Sequence, residues 1–347
     1  MSCTTAARRA ETRSFHHSLY PAARIAAERA GRGLSVSVCL PARECAETVG
    51  QVVGALADLR EEGAIDEVVV VDAASADGTA AVAARAGAVV WQEAELMSSY
   101  GAVLGKGDAM WRALSALEGE LVCFLDADTE GFTAHIATGL LGPLVCESGV
   151  SFVKGFYRRP LAHGVASDAH ERDSAGFAHD SAGFAGDSAG LADAEGGRMN
   201  HLMARPALEL FYPQLAGVRQ PLAGEVAARR ALLERLPFTT GYGVEIGMLI
   251  DAWKEVGLEG IAQVDLEEHG NRHQPLSGLT PMALTVLATI AKRLEREGRL
   301  TATERAGSDD GEGAEMRSPA ERRALAPVEP TPAAPVERPA LASVVVA

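Results

Sequence analysis

The sequence predicts an α/β fold: a mainly parallel, Rossmann-like sheet flanked by helices, with a smaller C-terminal part. Three observations carry that prediction. Short runs rich in Val and Leu recur along the first half of the chain, stretches of helical periodicity separate them, and polar clusters follow the runs directly. Runs that stay apolar without alternating suit strands covered on both faces, and a repeating strand, helix, strand order makes such strands parallel.

Ser35 to Leu40 reads as the first buried strand, with Pro41 ending it. Val49, Val52, Val53, Leu56 and Leu59 then fall on one face of a helix over 47–59. Asp66 to Val71 is a second strand, and Asp72-Ala73-Ala74-Ser75 leads from it to an Ala-rich helix ending near Ala86. Val89 to Trp91 is a third, short strand. Gly105-Lys106-Gly107 opens a helix through Met110, Trp111, Leu114 and Leu117, and Leu121 to Leu125 returns as a strand ending in Asp126-Ala127-Asp128. Ligands of such sheets bind beyond the carboxyl ends of the strands, and that is where these polar clusters fall.

The chain has 347 residues, 47% hydrophobic and 23% charged, enough for one large cored domain with appendages. Its formal charge of −15, from 47 acidic and 32 basic residues, repels nucleic acid and anionic membrane surfaces. An anionic substrate would need a local basic pocket, helped by a cation. The five cysteines (Cys3, Cys39, Cys45, Cys123, Cys146) show no zinc-ligand spacing and fit reduced thiols, and no apolar run approaches the roughly 20 residues that span a bilayer. A cytoplasmic protein is expected. Five segments follow: an N-terminal extension (1–33), an α/β subdomain (34–160), an insertion (161–196), a C-terminal part (197–300) and a tail (301–347). The insertion holds three near-identical heptads, DSAGFAH, DSAGFAG and DSAGLAD, read as a mobile surface loop, with a coiled coil as the alternative. Six of the 16 prolines lie between Pro319 and Pro339, and the tail reads as disordered.

The Asp126-Ala127-Asp128 motif arrives at the sheet edge with one carboxylate available for a ribose and one for a metal. A hard cation such as Mg²⁺ or Mn²⁺ takes one or two carboxylates and completes its shell with phosphate oxygens, which lets an acidic protein hold an anionic donor. An isolated DxD is more often an ordinary strand-end turn; its position after LVCFL favours the functional reading. Leu40-Pro41-Ala42-Arg43-Glu44 and Asp72 to Ser75 would lie at neighbouring strand mouths, able to recognise a nucleobase and ribose or to serve as plain turns. Lys106, at a helix N-terminus, suits a phosphate although the spacing is not that of a P-loop. Lys154, Arg158 and Arg159 form the densest basic group, suited to a dianionic phosphate or to balancing an acidic surface.

The ordered set LPARE, DAAS, GKG and DAD resembles the GT-A nucleotide-sugar transferases. The later segments KGFYRRP (154–160), Gly196-Gly197-Arg198, Ala204-Arg205-Pro206, QPLAGE (220–225), GYGVEIG (241–247) and His269-Gly270-Asn271-Arg272 resemble one branch, the retaining glucosyl-3-phosphoglycerate and mannosyl-3-phosphoglycerate synthases. The resemblance runs from about Val36 to Ala291, outside the heptads and both ends, and implies that 34–160 is the nucleotide-sugar-binding subdomain and 197–300 the acceptor-binding and dimerisation part. It implies that Pro41, Glu44, Asp72 and Ser75 hold the nucleotide, with Lys106, Asp126 and Ala127 beside it. It implies that Asp128 and His269 hold Mg²⁺ or Mn²⁺, that Gly197, Arg198, Asn271 and Arg272 grip the acceptor, and that Glu245 lies near the transferred sugar as a hydroxyl anchor. Asp128, Glu245 and Lys106 are the expected catalytic set. Asn200 stands where the pattern has a small hydroxyl.

The expected reaction moves mannose or glucose from a GDP- or UDP-sugar to the C2 hydroxyl of D-3-phosphoglycerate, a step toward an anionic compatible solute. Retention could proceed through a carboxylate nucleophile or by front-side attack; the resemblance favours the latter. Two rivals are an inverting transferase acting on a polysaccharide or lipid, and a catalytically silent nucleotide-sugar-binding scaffold. The resemblance also implies a homodimer, for which Leu284, Leu287 and Ile290 offer either a contact face or one side of a core helix.

Overall fold

The computed structural model describes residues 12–158, 197–268, 276–300 and 335–344. The predicted heptad insertion, His269 to Arg272 and most of the tail lie outside the described residues.

The elements run β1 (Arg13–His16), α1 (Ala22–Arg32), β2 (Val36–Ala42), α2 (Val49–Glu61), β3 (Glu67–Asp72), α3 (Thr79–Arg85), β4 (Val89–Gln92), α4 (Lys106–Ala113), β5 (Leu121–Phe124) and α5 (His135–Cys146). They continue as β6 (Phe152–Arg158), α6 (Arg205–Phe211), β7 (Val226–Arg229), α7 (Arg230–Leu233), β8 (Phe238–Thr239), α8 (Val244–Val256), β9 (Ile261–Glu268), α9 (Leu276–Arg296) and β10 (Glu337–Arg338). Eight strands form one sheet in the order β1-β9-β6-β7-β5-β2-β3-β4, and β8 pairs with β10 in a separate antiparallel ribbon. Only β7 breaks the parallel run, pairing antiparallel with both β5 and β6. The fold is therefore the expected GT-A type: every other strand of the large sheet ends at one common edge.

Both faces of the sheet are covered, which explains why its strands are apolar throughout. In β3, Val68 and Val70 join one core with Val49, Val52, Val53, Leu56 and Leu59 of α2, while Val69 and Val71 join the other with Met110 and Trp111 of α4. All five predicted core positions of α2 are buried.

Two expectations need correction. Pro41 does not end its strand: β2 runs to Ala42, and Pro41 pairs in register with Val71. Its missing N–H costs no ladder bond. The Cys39 carbonyl accepts from Leu125 N–H on the β5 side, so Pro41, two residues on, faces the same flank just past the last β2–β5 pair. The tail, read as disordered, is ordered over 335–344. Glu337 and Arg338 add β10 to β8, Arg338 reaches buried Asp108 with two nitrogens at 2.7 Å, and Trp111 Nε1 donates to the Pro339 carbonyl at 2.8 Å. Among the described residues no helix is long and apolar enough to cross a membrane.

Candidate functional site

At the common edge, three side chains from separate elements meet around one ammonium. Lys106 at the start of α4 places Nζ 2.6 Å from Asp126 Oδ1, just past β5, and 3.1 Å from Glu245 Oε1 at the start of α8. Burial works against the lysine charge, but Asp126 and Glu245 outweigh it and hold the ammonium well above its ordinary pKa. Glycines allow this approach. A side chain on Gly107 would strike the Thr239 carbonyl, and one on Gly224 would strike the Asp126 carboxylate. Gly105, at φ 87°, makes the left-handed turn into α4.

Asp128 lies two residues further along the chain from Asp126 and is exposed. The surrounding protein, then the neighbouring Asp126, push its pKa up, only partly offset by Lys106. A divalent cation would reverse both effects, so the carboxylate fits such an ion; its expected partner His269 lies outside the described residues. The backbone between the two aspartates is fixed from behind, where the buried Ala127 carbonyl accepts from Thr48 Oγ1 at 2.7 Å.

The expected nucleotide side forms a second, interlocked cluster at the ends of β2 and β3. Glu44 adopts a left-handed backbone (φ 52°), its N–H donates to Ser75 Oγ at 2.9 Å, and its Oε1 accepts from Ala76 N–H at 2.8 Å. Asp72 Oδ2 accepts from Ser75 N–H at 3.0 Å and from Gln92 Nε2 at 3.2 Å. Its other oxygen, Oδ1, is buried and meets no donor among the described residues. A buried acceptor in that state is costly unless a ligand supplies the donor, and a ribose hydroxyl or a base N–H would do so. Cys45 links the two clusters: burial pushes its thiol up to about 11, and Asp128, Asp77 and Asp126 add to that.

On the opposite side, Gly197 (φ 92°) and exposed Arg198 precede buried Asn200. Asn200 is turned inward. Its Oδ1 accepts from Leu222 N–H at 3.0 Å, bracing the loop whose Gly224 packs on Asp126. The Gly197–Asn200 segment and the DxD motif are thus joined through one loop.

Sequence reasoning missed one neighbour and misplaced another. Gln92 on β4 belongs to no motif, so only its strand register places it on Asp72. Lys154 matches neither expected role, because it is 1% exposed and its Nζ donates to the Ala223 carbonyl. Burial lowers its pKa to about 8, Glu245 and Glu225 resist that, and Lys106 adds to it.

Three comparisons bear on this geometry. Residues 37–136 match the model of glycosyl transferase family 2. A glucosyl-3-phosphoglycerate synthase of Petrotoga mobilis is 35% identical over 291 residues, covering 83% of this chain and 82% of the relative. The crystal structure of mannosyl-3-phosphoglycerate synthase from Rubrobacter xylanophilus is similar at 45% identity and a TM-score of 0.72, covering 84% of this chain and 83% of that one. Glucosyl-3-phosphoglycerate synthase from Mycobacterium tuberculosis, solved with Mn²⁺, UDP-glucose and phosphoglyceric acid, is similar at 34% identity and a TM-score of 0.69, with 84% and 89% coverage.

Proposed function

This chain belongs to the retaining GT-A glycosyltransferase family of glucosyl-3-phosphoglycerate and mannosyl-3-phosphoglycerate synthases, and on that premise we propose that it transfers glucose or mannose from a UDP- or GDP-sugar to the C2 hydroxyl of D-3-phosphoglycerate. The observation that supports this reading best is Lys106 held between Asp126 and Glu245, beside Asp128, at the carboxyl ends of the strands.

The nucleotide lies along Pro41, Glu44, Asp72 and Ser75, with a donor from it reaching the unsatisfied Asp72 Oδ1. Asp126 and Ala127 flank the ribose and diphosphate. Asp128 and His269 would hold Mg²⁺ or Mn²⁺, which would supply positive charge to the diphosphate. Lys106 supplies the second positive group, donating to the leaving diphosphate as its charge grows. Glu245 holds the ammonium from the far side and accepts from a sugar hydroxyl. Gly197, Arg198, Asn271 and Arg272 bind the carboxylate and phosphate of the acceptor, aiming its hydroxyl at the face the diphosphate leaves. That hydroxyl attacks the anomeric carbon, and its proton passes to the departing diphosphate oxygen. The protein's main contribution is orientation and preorganised charge. The active species is a homodimer; Leu284 and Leu287 are exposed on α9 and available for that contact, whereas Ile290 is buried in the core.

The test incubates the purified protein with Mg²⁺, 3-phosphoglycerate and, separately, UDP-glucose, GDP-glucose and GDP-mannose. Mass spectrometry is expected to find a hexosyl-3-phosphoglycerate with at least one donor, and none with Asp128→Ala. Nucleotide binding without product from any donor contradicts transfer and favours the silent scaffold.

A further inference from the structure

At the outer end of the same strand edge, two histidines and a glutamate converge away from the diphosphate side. β1 ends at His16, and the 3₁₀ turn that begins at His17 swings both rings to one side, with centroids 4.5 Å apart. They meet Glu267 near the end of β9: its Oε1 lies 3.4 Å from His16 Nε2 and 3.5 Å from His17 Nε2. The ligating atoms of all three residues lie within 4.8 Å of one another.

The environment suits a metal better than a bare contact. His17 Nε2 is buried and faces Glu267 without the alignment of a hydrogen bond. His16 Nδ1 lies 2.8 Å from Ser18 Oγ and accepts from Ser18 N–H at 3.3 Å, contacts that fix the ring with Nε2 turned toward Glu267. His135 stacks on His17 at 4.2 Å, and both its nitrogens are engaged, with Thr133 Oγ1 and the Leu266 carbonyl, so it walls the cluster and does not join it. Glu267 is held in a left-handed backbone (φ 61°) by Asp265 Oδ1, which accepts its N–H at 2.9 Å. The observed 3.4 and 3.5 Å separations match the roughly 3.4 Å edge of a tetrahedron whose metal–ligand bonds are about 2.1 Å.

We propose that His16, His17 and Glu267 form a second metal site, for a borderline transition ion of the Zn²⁺ class, that clips β1 to the end of β9. Two imidazoles and one carboxylate leave a fourth position open to water, and that donor set selects Zn²⁺ or Co²⁺ over Mg²⁺. The site is separate from the carboxylate and lysine cluster that would hold the sugar donor.

Co²⁺ is the probe, titrated into chelator-stripped full-length protein in excess Mg²⁺ while visible ligand-field bands are followed. One equivalent per chain is expected to give the bands of a low-coordinate nitrogen-bearing site, Zn²⁺ is expected to displace it, and Asp128→Ala should leave it intact. His17→Ala should weaken Co²⁺ by at least about a hundredfold, and the isosteric Glu267→Gln by at least about tenfold. Absence of bands, bands lost in Asp128→Ala, or unchanged affinity in His17→Ala and Glu267→Gln would each overturn the site. None of these results depends on sugar transfer.

Discussion

Lys106 carries the sharpest residue-scale consequence. Its ammonium is poised between two carboxylates, so Lys106→Met removes the positive charge proposed to meet the diphosphate and leaves Asp126 and Glu245 facing each other. A fall in kcat of about a hundredfold or more is expected, with the fold intact by circular dichroism; a kcat within a few-fold of wild type would contradict the role. Lys154 gives a pH prediction. Its pKa is about 8 in the folded protein against 10.5 ordinarily, so between those values the unfolded chain binds more protons and this group's contribution to stability rises with pH. Below pH 8 the cost of burying the charge is fully present. Lys154→Met removes it, so the melting temperature of the variant relative to wild type should be more favourable at pH 7 than at pH 10; the reverse order would refute the burial account. Residues at strand ends, such as Asp72 and Asp126, were legible because a motif after an apolar run has only one place to go, and Lys106 was legible because Gly105-Lys106-Gly107 opens a helix. Lys154 was not: its sequence neighbours Arg158 and Arg159 suggest a surface patch, whereas β6 is buried on both faces from Phe152 to Tyr157 and encloses Lys154 with it.

At the scale of elements, α4 owes its position to a segment far away in sequence. Burial opposes the charge of Asp108, yet Arg338, the Leu104 N–H and Arg112 together hold its carboxyl below the usual range. Arg338 also spans Tyr100 and Trp111, each ring centroid 5.8 Å from its guanidinium. Glu337 beside it pairs with Arg293, which is fully buried against Asp251 of α8. β10 therefore fastens the two helices whose first turns carry Lys106 and Glu245. Arg338→Ala breaks a buried pair and should cost about 3 kcal/mol in urea unfolding, with a parallel loss of kcat because Asp108 loses its bidentate partner; a loss under about 1 kcal/mol would show that β10 is ornamental. Composition hid this latch. A Pro-rich, Ala-rich stretch reads as disordered, and the partners of Glu337 and Arg338 are non-local, so no local pattern announces them.

Across the whole molecule, the architecture was legible because two-sided burial writes itself into continuous apolar strands. The antiparallel β7 was less so: it is a short Val-Ala-Ala-Arg run with no hairpin signal, inserted between β5 and β6 by a long excursion of the chain. Its insertion matters, because the loop before β7 carries Gly224 onto Asp126 and the Ala223 carbonyl onto Lys154. A chain of formal charge −15 thus sets one ammonium, Lys106, beside the up-shifted carboxylate of Asp128 at one sheet edge. The most direct test of that arrangement is anomalous scattering from crystals grown with Mn²⁺ and a nucleoside diphosphate sugar. The account predicts a manganese peak bonded to Asp128, with the diphosphate between it and Lys106 Nζ. A peak remote from Asp128, or a diphosphate bound away from Lys106, would contradict it.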